Sequence, residues 1–127
     1  MGLRFIRIAV VYLFFGGLLG FVMGISGKFT LAPVHAHLVL LGWASLALAG
    51  LVYHAYPAAS TTRLARWHFW LHNLGLPLFM GGLALMLSGT EAAFPLTAGG
   101  ASGVLVGLGL FALNVLLNIK PGTATHA

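Results

Sequence analysis

The fold is decided first by residues 5–27, FIRIAVVYLFFGGLLGFVMGISG, in which no charged residue follows Arg7. A lipid bilayer core about 30 Å thick is crossed by roughly 20 consecutive apolar residues in a helix. The same test along the chain finds further stretches of that length at about 34–56, 65–88 and 99–119. The sequence therefore predicts a protein with four membrane-spanning helices.

The composition excludes a water-soluble domain. Hydrophobic residues make up 60% of the 127 residues and charged residues 6%, whereas soluble domains carry about 25% charged residues. The single acid, Glu91, excludes paired-carboxylate catalysis and carboxylate cages for calcium or magnesium. Without cysteine, the chain can form no disulfide, no thiolate metal site and no covalent c-type haem. The six cations are dispersed, so no nucleic-acid partner is expected.

The breaks between the four segments are short, which predicts antiparallel neighbouring helices in up–down order. The breaks lie at residues 28–33, 57–64 and 89–98, and a tail covers residues 120–127. We therefore expect one all-α domain over residues 1–127, an integral membrane four-helix bundle in the lipid bilayer.

The distribution of positive charge predicts the orientation of this bundle. With the N terminus in the cytoplasm, five of the six cations lie inside, and only Lys28 lies outside, together with Glu91. An excess of lysine and arginine marks the cytoplasmic side. Both termini are thus expected in the cytoplasm, and the expected location is the bacterial cytoplasmic (inner) membrane. The first segment is long and no small-residue cleavage motif follows it, which favours an anchor over a cleaved signal peptide.

Two runs of glycines at four-residue spacing are candidate packing seams. They are Gly16, Gly20 and Gly24 in the first segment, and Gly99, Gly103 and Gly107 in the fourth. Small residues at this spacing let helices approach closely in lipid. Because the chain has 18 glycines, general glycine richness of membrane helices is an equal alternative.

Six histidines in so apolar a chain are the main functional signal, because ionisable side chains at membrane depth are costly and mark functional sites. His35 and His37 open the second segment near its outer end. Residues two apart on an α-helix point about 200° apart. These two side chains therefore cannot bind one ion together, and each addresses a different neighbour. The alternative is a pair of polar residues at headgroup level at a helix start.

His54, His68 and His72 form a second candidate group toward the cytoplasmic side. His68 and His72 are four residues apart and share a helix face, and with His54 they allow a three-imidazole metal site. The alternative, which we favour for His54 and His68, is a pair of interfacial histidines near Trp67 in an aromatic belt. His54 follows His37 by 17 positions, about 25 Å along a helix, so the two groups are separate sites.

Imidazole is the only strong type of metal ligand that the chain offers besides the distant Glu91. Imidazole suits zinc, copper and iron, and histidine is a common axial ligand of haem iron. Zinc, copper and iron, the last as non-covalent haem, therefore stay open as metals for these histidines. The last histidine, His126, lies in the tail and is expected to be solvated.

The second and third segments resemble two helices of the catalytic subunit of haem–copper oxidases. The matching residues are His35-Ala-His37, Gly42-Trp43, Gly50, Tyr53-His54, Pro57, Trp67-His68-Phe69-Trp70-Leu71 and Gly75. They are similar to the tenth and eleventh transmembrane helices of that subunit, and most similar to the C-type oxidase and nitric oxide reductase branch. The match covers about residues 34–80, and the other two segments match only as generic apolar helices.

The resemblance implies that the chain is one of the three four-helix arcs of the oxidase subunit I fold. In that family the two histidines of the His-x-His motif ligate two different haems near the outer face, which implies that His35 and His37 ligate haem iron. His54 and His68 match positions that are not ligands, and His72 has no counterpart. The chain lacks the helices that supply the copper ligands and the cross-linked tyrosine, so one chain cannot build the binuclear oxygen site.

Together with the resemblance, these features predict a b-type haem-binding membrane protein that acts in electron transfer or in haem or gas sensing. Its expected cofactor is non-covalent haem b, with copper as the less favoured alternative. One alternative is an enzyme, a haem-dependent oxidoreductase. It would be a minimal oligomeric oxygen or nitric oxide reductase or an accessory subunit of a larger terminal oxidase. The other alternative is a structural membrane protein with vestigial histidines. Quinol or a cytochrome is the expected redox partner.

Two ligands that face opposite ways predict a homo-oligomer, because each iron then takes its second ligand from another subunit or from a methionine. The candidate methionines are Met23, Met80 and Met86. A homotrimer with haem between subunits is favoured, since three chains give the three arcs of the oxidase subunit. A dimer is the main rival.

Overall fold

The computed structural model describes residues 1–120, and this part of the chain is helical without any strand. The long helices are α1 (Gly2–Ser26), α2 (Ala32–Ala55), α3 (Arg63–Leu87) and α4 (Phe94–Asn118). Each of the four spans is long and apolar enough to cross a membrane. The predicted four membrane helices are therefore confirmed.

All four long helices begin two to five residues earlier than the hydropathy of the sequence predicted, and in two of them the first turn contains a proline. α2 begins before Pro33 and α4 before Pro95, so each proline lies in the first helical turn. Proline is tolerated there because the backbone N–H that it lacks has no partner within the helix. The predicted fourth segment omitted Pro95 and started at residue 99, five residues after Phe94.

The remaining helix ends have local causes in the chain. α1 ends at Gly27, which adopts a left-handed conformation with φ 67° and donates its N–H to the Met23 carbonyl. α3 begins after Thr62, whose Oγ1 accepts a hydrogen bond from the Ala65 N–H at 3.0 Å. Glycine after a helix and threonine before one are the preferred caps at these positions.

Consecutive long helices run antiparallel, as predicted. The beginning of α1 lies against the end of α2, where Gly2 approaches the His54 backbone. The end of α1 lies against the beginning of α2, where Gly20 contacts the His35 ring. The connections are short, with a one-turn helix at Pro57–Ser60 between α2 and α3.

α3 and α4 pack closely along their length because glycines line their contact. A Cβ on Gly75 would lie 2.8 Å from the Gly100 carbonyl oxygen, and one on Gly100 would overlap the Phe79 backbone nitrogen. Near the C-terminal end of α3, Gly82 faces the backbone of Thr97 in the same way. The two helix backbones are therefore in contact, as small residues permit in lipid.

The predicted glycine ladders are correct at some positions and wrong at others. Four members do face a neighbouring helix: Gly16, Gly20, Gly103 and Gly107. Gly24 and Gly99, by contrast, have no atom of another element within 4 Å of a Cβ built on them. Gly100 occupies the seam of α4 in place of Gly99, because a shift of one residue turns a position about 100° around the helix.

The outward faces of the bundle are apolar. Large side chains such as Phe14 and Leu105 are 65% and 71% exposed, which suits contact with lipid and not with water. The buried side chains form an apolar cluster toward the N-terminal end of α1, around Phe5 and Leu46. A second cluster surrounds Leu76 and Met80 in the C-terminal half of α3.

Candidate functional site

His35 lies between α2 and α1 with its ring held by a backbone carbonyl. Its Nδ1 is 2.8 Å from the carbonyl oxygen of Gly16. A carbonyl can only accept, so Nδ1 carries the proton and Nε2 keeps its lone pair. A Cβ on Gly20 would lie 2.7 Å from Cε1 of this ring. Glycine at position 20 therefore makes room for the imidazole against α1.

His37 has the same protonation pattern through a different contact. Its Nδ1 is 2.7 Å from the Pro33 carbonyl oxygen, one turn earlier in α2. Its ring packs edge-on against Phe79 of α3, with 5.0 Å between ring centroids. Because the Pro33 carbonyl accepts a hydrogen bond from Nδ1–H, Nε2 of His37 also keeps its lone pair.

The two rings point to different sides of α2, as the spacing of the His-x-His motif predicted. His35 faces α1, and His37 faces α3. Both side chains are half-buried. Within residues 1–120, the Nε2 atom of neither ring has a hydrogen-bond partner. The chain thus presents two imidazoles, each with one anchored and one open nitrogen.

This arrangement fits histidine as a metal ligand. Metal-binding histidines almost always donate their other ring N–H to a carbonyl or a carboxylate, which fixes the tautomer and the ring orientation. Each of the two rings has this anchor, and each Nε2 is free to bind. Since the rings diverge, the two open nitrogens of one chain cannot bind the same ion.

A π-helical segment, Leu38–Ser45, follows His37 directly within α2. Ser45 donates its hydroxyl hydrogen to the Leu40 carbonyl at 2.9 Å, five residues earlier. π-helical segments are rare and often occur at functional sites. The sequence reading missed this segment, since its apolar composition carries no signal that separates π from α geometry.

His68 is not the interfacial side chain that its aromatic neighbourhood predicted. It is fully buried, between the rings of Phe5 and Phe111, whose centroids lie 4.9 and 5.1 Å from its own. Its Nδ1 is 3.1 Å from the Tyr53 hydroxyl. The neighbouring Trp67 is exposed instead, because successive helix residues turn by about 100°.

His54 and His72 lie in different environments in the structure. His54 is exposed near the end of α2, as expected for an interfacial residue, whereas His72 is fully buried and donates Nε2–H to the Leu41 carbonyl at 3.0 Å. Across residues 1–120, no three or more His, Cys, Asp or Glu side chains are grouped to hold a metal ion. The three-imidazole site of His54, His68 and His72 is therefore not formed within the described chain. His126 lies outside the described residues.

A buried polar network around Asn114 was not predicted from the sequence. Asn114 is fully buried, donates Nδ2–H to the Ala59 carbonyl at 2.9 Å, and accepts from the Thr62 hydroxyl at 3.0 Å. Its Nδ2 also lies 3.5 Å from the Tyr53 hydroxyl. The available signal was a pair of asparagines, Asn114 and Asn118, within the apolar fourth segment.

Comparison of the chain with protein-family models, with curated proteins and with solved structures gave no match. The relationship to haem–copper oxidases therefore stays a prediction, carried by the motif that runs from His35 to Gly75. The anchoring of His35 and His37 does not depend on that relationship, since it follows from hydrogen bonds within this chain.

Proposed function

We propose that the protein is a b-type haem-binding integral membrane protein that transfers electrons, with His35 and His37 as ligands of haem iron. The observation that carries this proposal is that the two imidazole rings share one hydrogen-bonding pattern. Each Nδ1 donates to a backbone carbonyl, and each Nε2 keeps an unused lone pair. A polar side chain that is half-exposed at membrane depth is costly unless it binds a partner, and haem iron is a partner of the right chemistry.

The chain's own residues prepare both rings for this role. The Gly16 carbonyl holds the His35 ring against α1, and the Pro33 carbonyl holds the His37 ring along α2. Such acceptors restrict ring rotation and raise the basicity of the ligating nitrogen. When bound, haem b supplies a reversible one-electron couple. Quinol or a cytochrome is the proposed redox partner.

The second ligand of each iron is proposed to come from another subunit. Among the methionines, Met86 accepts a hydrogen bond from the Thr97 hydroxyl through its sulfur, and Met23 and Met80 are buried in the bundle. The half-buried imidazoles are more accessible. In a ring of identical subunits, His35 of one subunit can face His37 of the next across one haem.

We propose that this ring is a homotrimer related to the three four-helix arcs of haem–copper oxidases. Two imidazoles on each iron would leave no open coordination position for oxygen or nitric oxide. This arrangement favours electron transfer over the alternative of a minimal reductase. A dimer could also pair the histidines and is the rival assembly.

Native mass spectrometry in detergent is expected to show a trimer with one haem for each chain. The ratio follows because each chain gives two ligands and each iron takes two. A dimer or a monomer that keeps its full haem content would contradict the proposed homotrimer. The same preparation stripped of haem serves as the control for whether assembly depends on the cofactor.

We further propose that the protein lies in the bacterial cytoplasmic membrane with both termini in the cytoplasm. The chain has no native cysteine, so single cysteines can report on each side. We expect a membrane-impermeant maleimide to label Ala92→Cys on intact cells and Thr61→Cys only after lysis. Both positions are exposed in connections between long helices. Labelling of Thr61→Cys from outside would overturn the orientation.

A further inference from the structure

Two ring nitrogens in the core of the bundle have no hydrogen-bond partner. They are Nε2 of His68 and Nδ1 of His72, and both are inaccessible to solvent. The two side chains are fully buried and lie one turn apart on α3, with 5.5 Å between ring centroids. Buried polar atoms are paired in nearly all proteins, with protein groups or with water. This pair of atoms therefore points to a bound group between the rings.

The tautomer of His72 follows from its other nitrogen. Nε2 lies 3.0 Å from the Leu41 carbonyl oxygen, which can only accept. Nε2 therefore carries the proton of the neutral ring. The unpaired Nδ1 of His72 is an acceptor that lacks a donor.

The tautomer of His68 follows from the chain of contacts that leads to it. The amide of Asn114 is oriented by the Ala59 carbonyl, which must face Nδ2. Nδ2 also points to the Tyr53 oxygen at 3.5 Å, so the hydroxyl hydrogen of Tyr53 is free to donate to Nδ1 of His68 at 3.1 Å. The proton of His68 then lies on Nε2. The unpaired Nε2–H of His68 is a donor that lacks an acceptor.

We propose that one water molecule is bound between His68 and His72. It accepts from Nε2–H of His68 and donates to Nδ1 of His72, so it pairs both orphaned atoms at once. A water molecule suits a polar site that offers two or more partners. A metal ion suits it less, because Nε2 of His68 carries a proton and no acidic side chain in the chain except the exposed Glu91 could balance the charge.

The bound water completes a continuous hydrogen-bonded chain across three helices. The chain runs from Asn114 of α4 through Tyr53 of α2 to His68 of α3, and then through the water and His72 to the Leu41 carbonyl of α2. Leu41 belongs to the π-helical segment that follows the outer histidine motif. The water therefore links α3 and α4 to the part of α2 that carries that motif.

Nuclear magnetic resonance of the wild-type full chain, labelled with ¹⁵N at histidine and reconstituted in nanodiscs, tests the proposal without any variant. We expect a protonated Nε2 on both His68 and His72, an unprotonated Nδ1 on both, and magnetisation transfer from bulk or bound water to Nε2–H of His68. An unprotonated Nε2 on His68, or no transfer from water to it, would overturn the proposal.

A variant of Tyr53 and the addition of metal ions test the proposal further. Tyr53→Phe removes the donor to Nδ1 of His68, and we expect the His68 signals alone to show a mixture of tautomers, whereas His54→Ala is expected to leave them unchanged. Unchanged His68 signals in Tyr53→Phe would contradict the assigned chain. Addition of copper(I) or zinc(II) is expected to leave the His68 and His72 signals unchanged. A shift of the signals of both histidines would show that a metal ion, and not water, binds between them.

Discussion

Replacing His35 or His37 by alanine is expected to convert the haem spectrum from low-spin to high-spin, and replacing both is expected to abolish haem binding. In the proposed trimer, each iron would be bound by His35 of one subunit and His37 of the next. A single replacement therefore removes one of the two axial ligands from every haem, and the double replacement removes both. Absorption spectra and pyridine haemochrome assays of protein purified in detergent measure the spin state and the haem-to-chain ratio.

The matched control for these variants is His54→Ala. His54 lies near the opposite end of α2 and is exposed, so its loss removes an imidazole from the same helix without touching the proposed site. We expect a wild-type spectrum from it. A double variant at positions 35 and 37 that keeps the wild-type spectrum would transfer the assignment to the buried His72.

Gly100→Leu is expected to destabilise the bundle severely. Any Cβ at this position overlaps the backbone nitrogen of Phe79 on α3, and a backbone atom cannot turn away as a side chain can. Extra methylenes in a packed core cost about 1–3 kcal/mol when side chains can adjust. We expect a cost at or above about 3 kcal/mol here, since α3 and α4 must separate. Unfolding by dodecyl sulfate in mixed micelles, followed by circular dichroism, measures it.

Gly99→Leu is the control for this substitution. A Cβ at position 99 has no atom of another element within 4 Å, and the new side chain points outward from the bundle. We expect a change in the free energy of unfolding within about 0.5 kcal/mol. Equal destabilisation by both variants would show that a loss of glycine anywhere in α4, and not contact with Phe79, causes the effect.

Much of the arrangement of His35 and His37 could be predicted from local sequence. The spacing of His35 and His37 requires the rings to diverge on any helix, and the structure places one against α1 and the other against α3. The acceptors of their Nδ1 atoms could not be predicted in the same way. The Gly16 carbonyl belongs to another helix, so its distance from His35 depends on how α1 and α2 pack.

The inner histidines show where prediction from sequence failed. His68 was expected at the interface because tryptophans flank it, yet its ring lies between Phe5 and Phe111. His54 was given the same interfacial assignment, and for His54 the exposure agrees with it. Depth follows from position in the chain, whereas the direction of a side chain follows from the rotation of its helix.

The sequence by itself determined that the chain has four membrane helices and where each roughly lies, because entry into lipid depends on the length and composition of a segment and not on its neighbours. It also determined that His35 and His37 cannot share an ion. Only the tertiary structure decided that His68 is buried and that Gly100, and not Gly99, lies against α3. The physical reason is that a helix that is apolar all round carries no hydropathy signal for which face it turns to its neighbours.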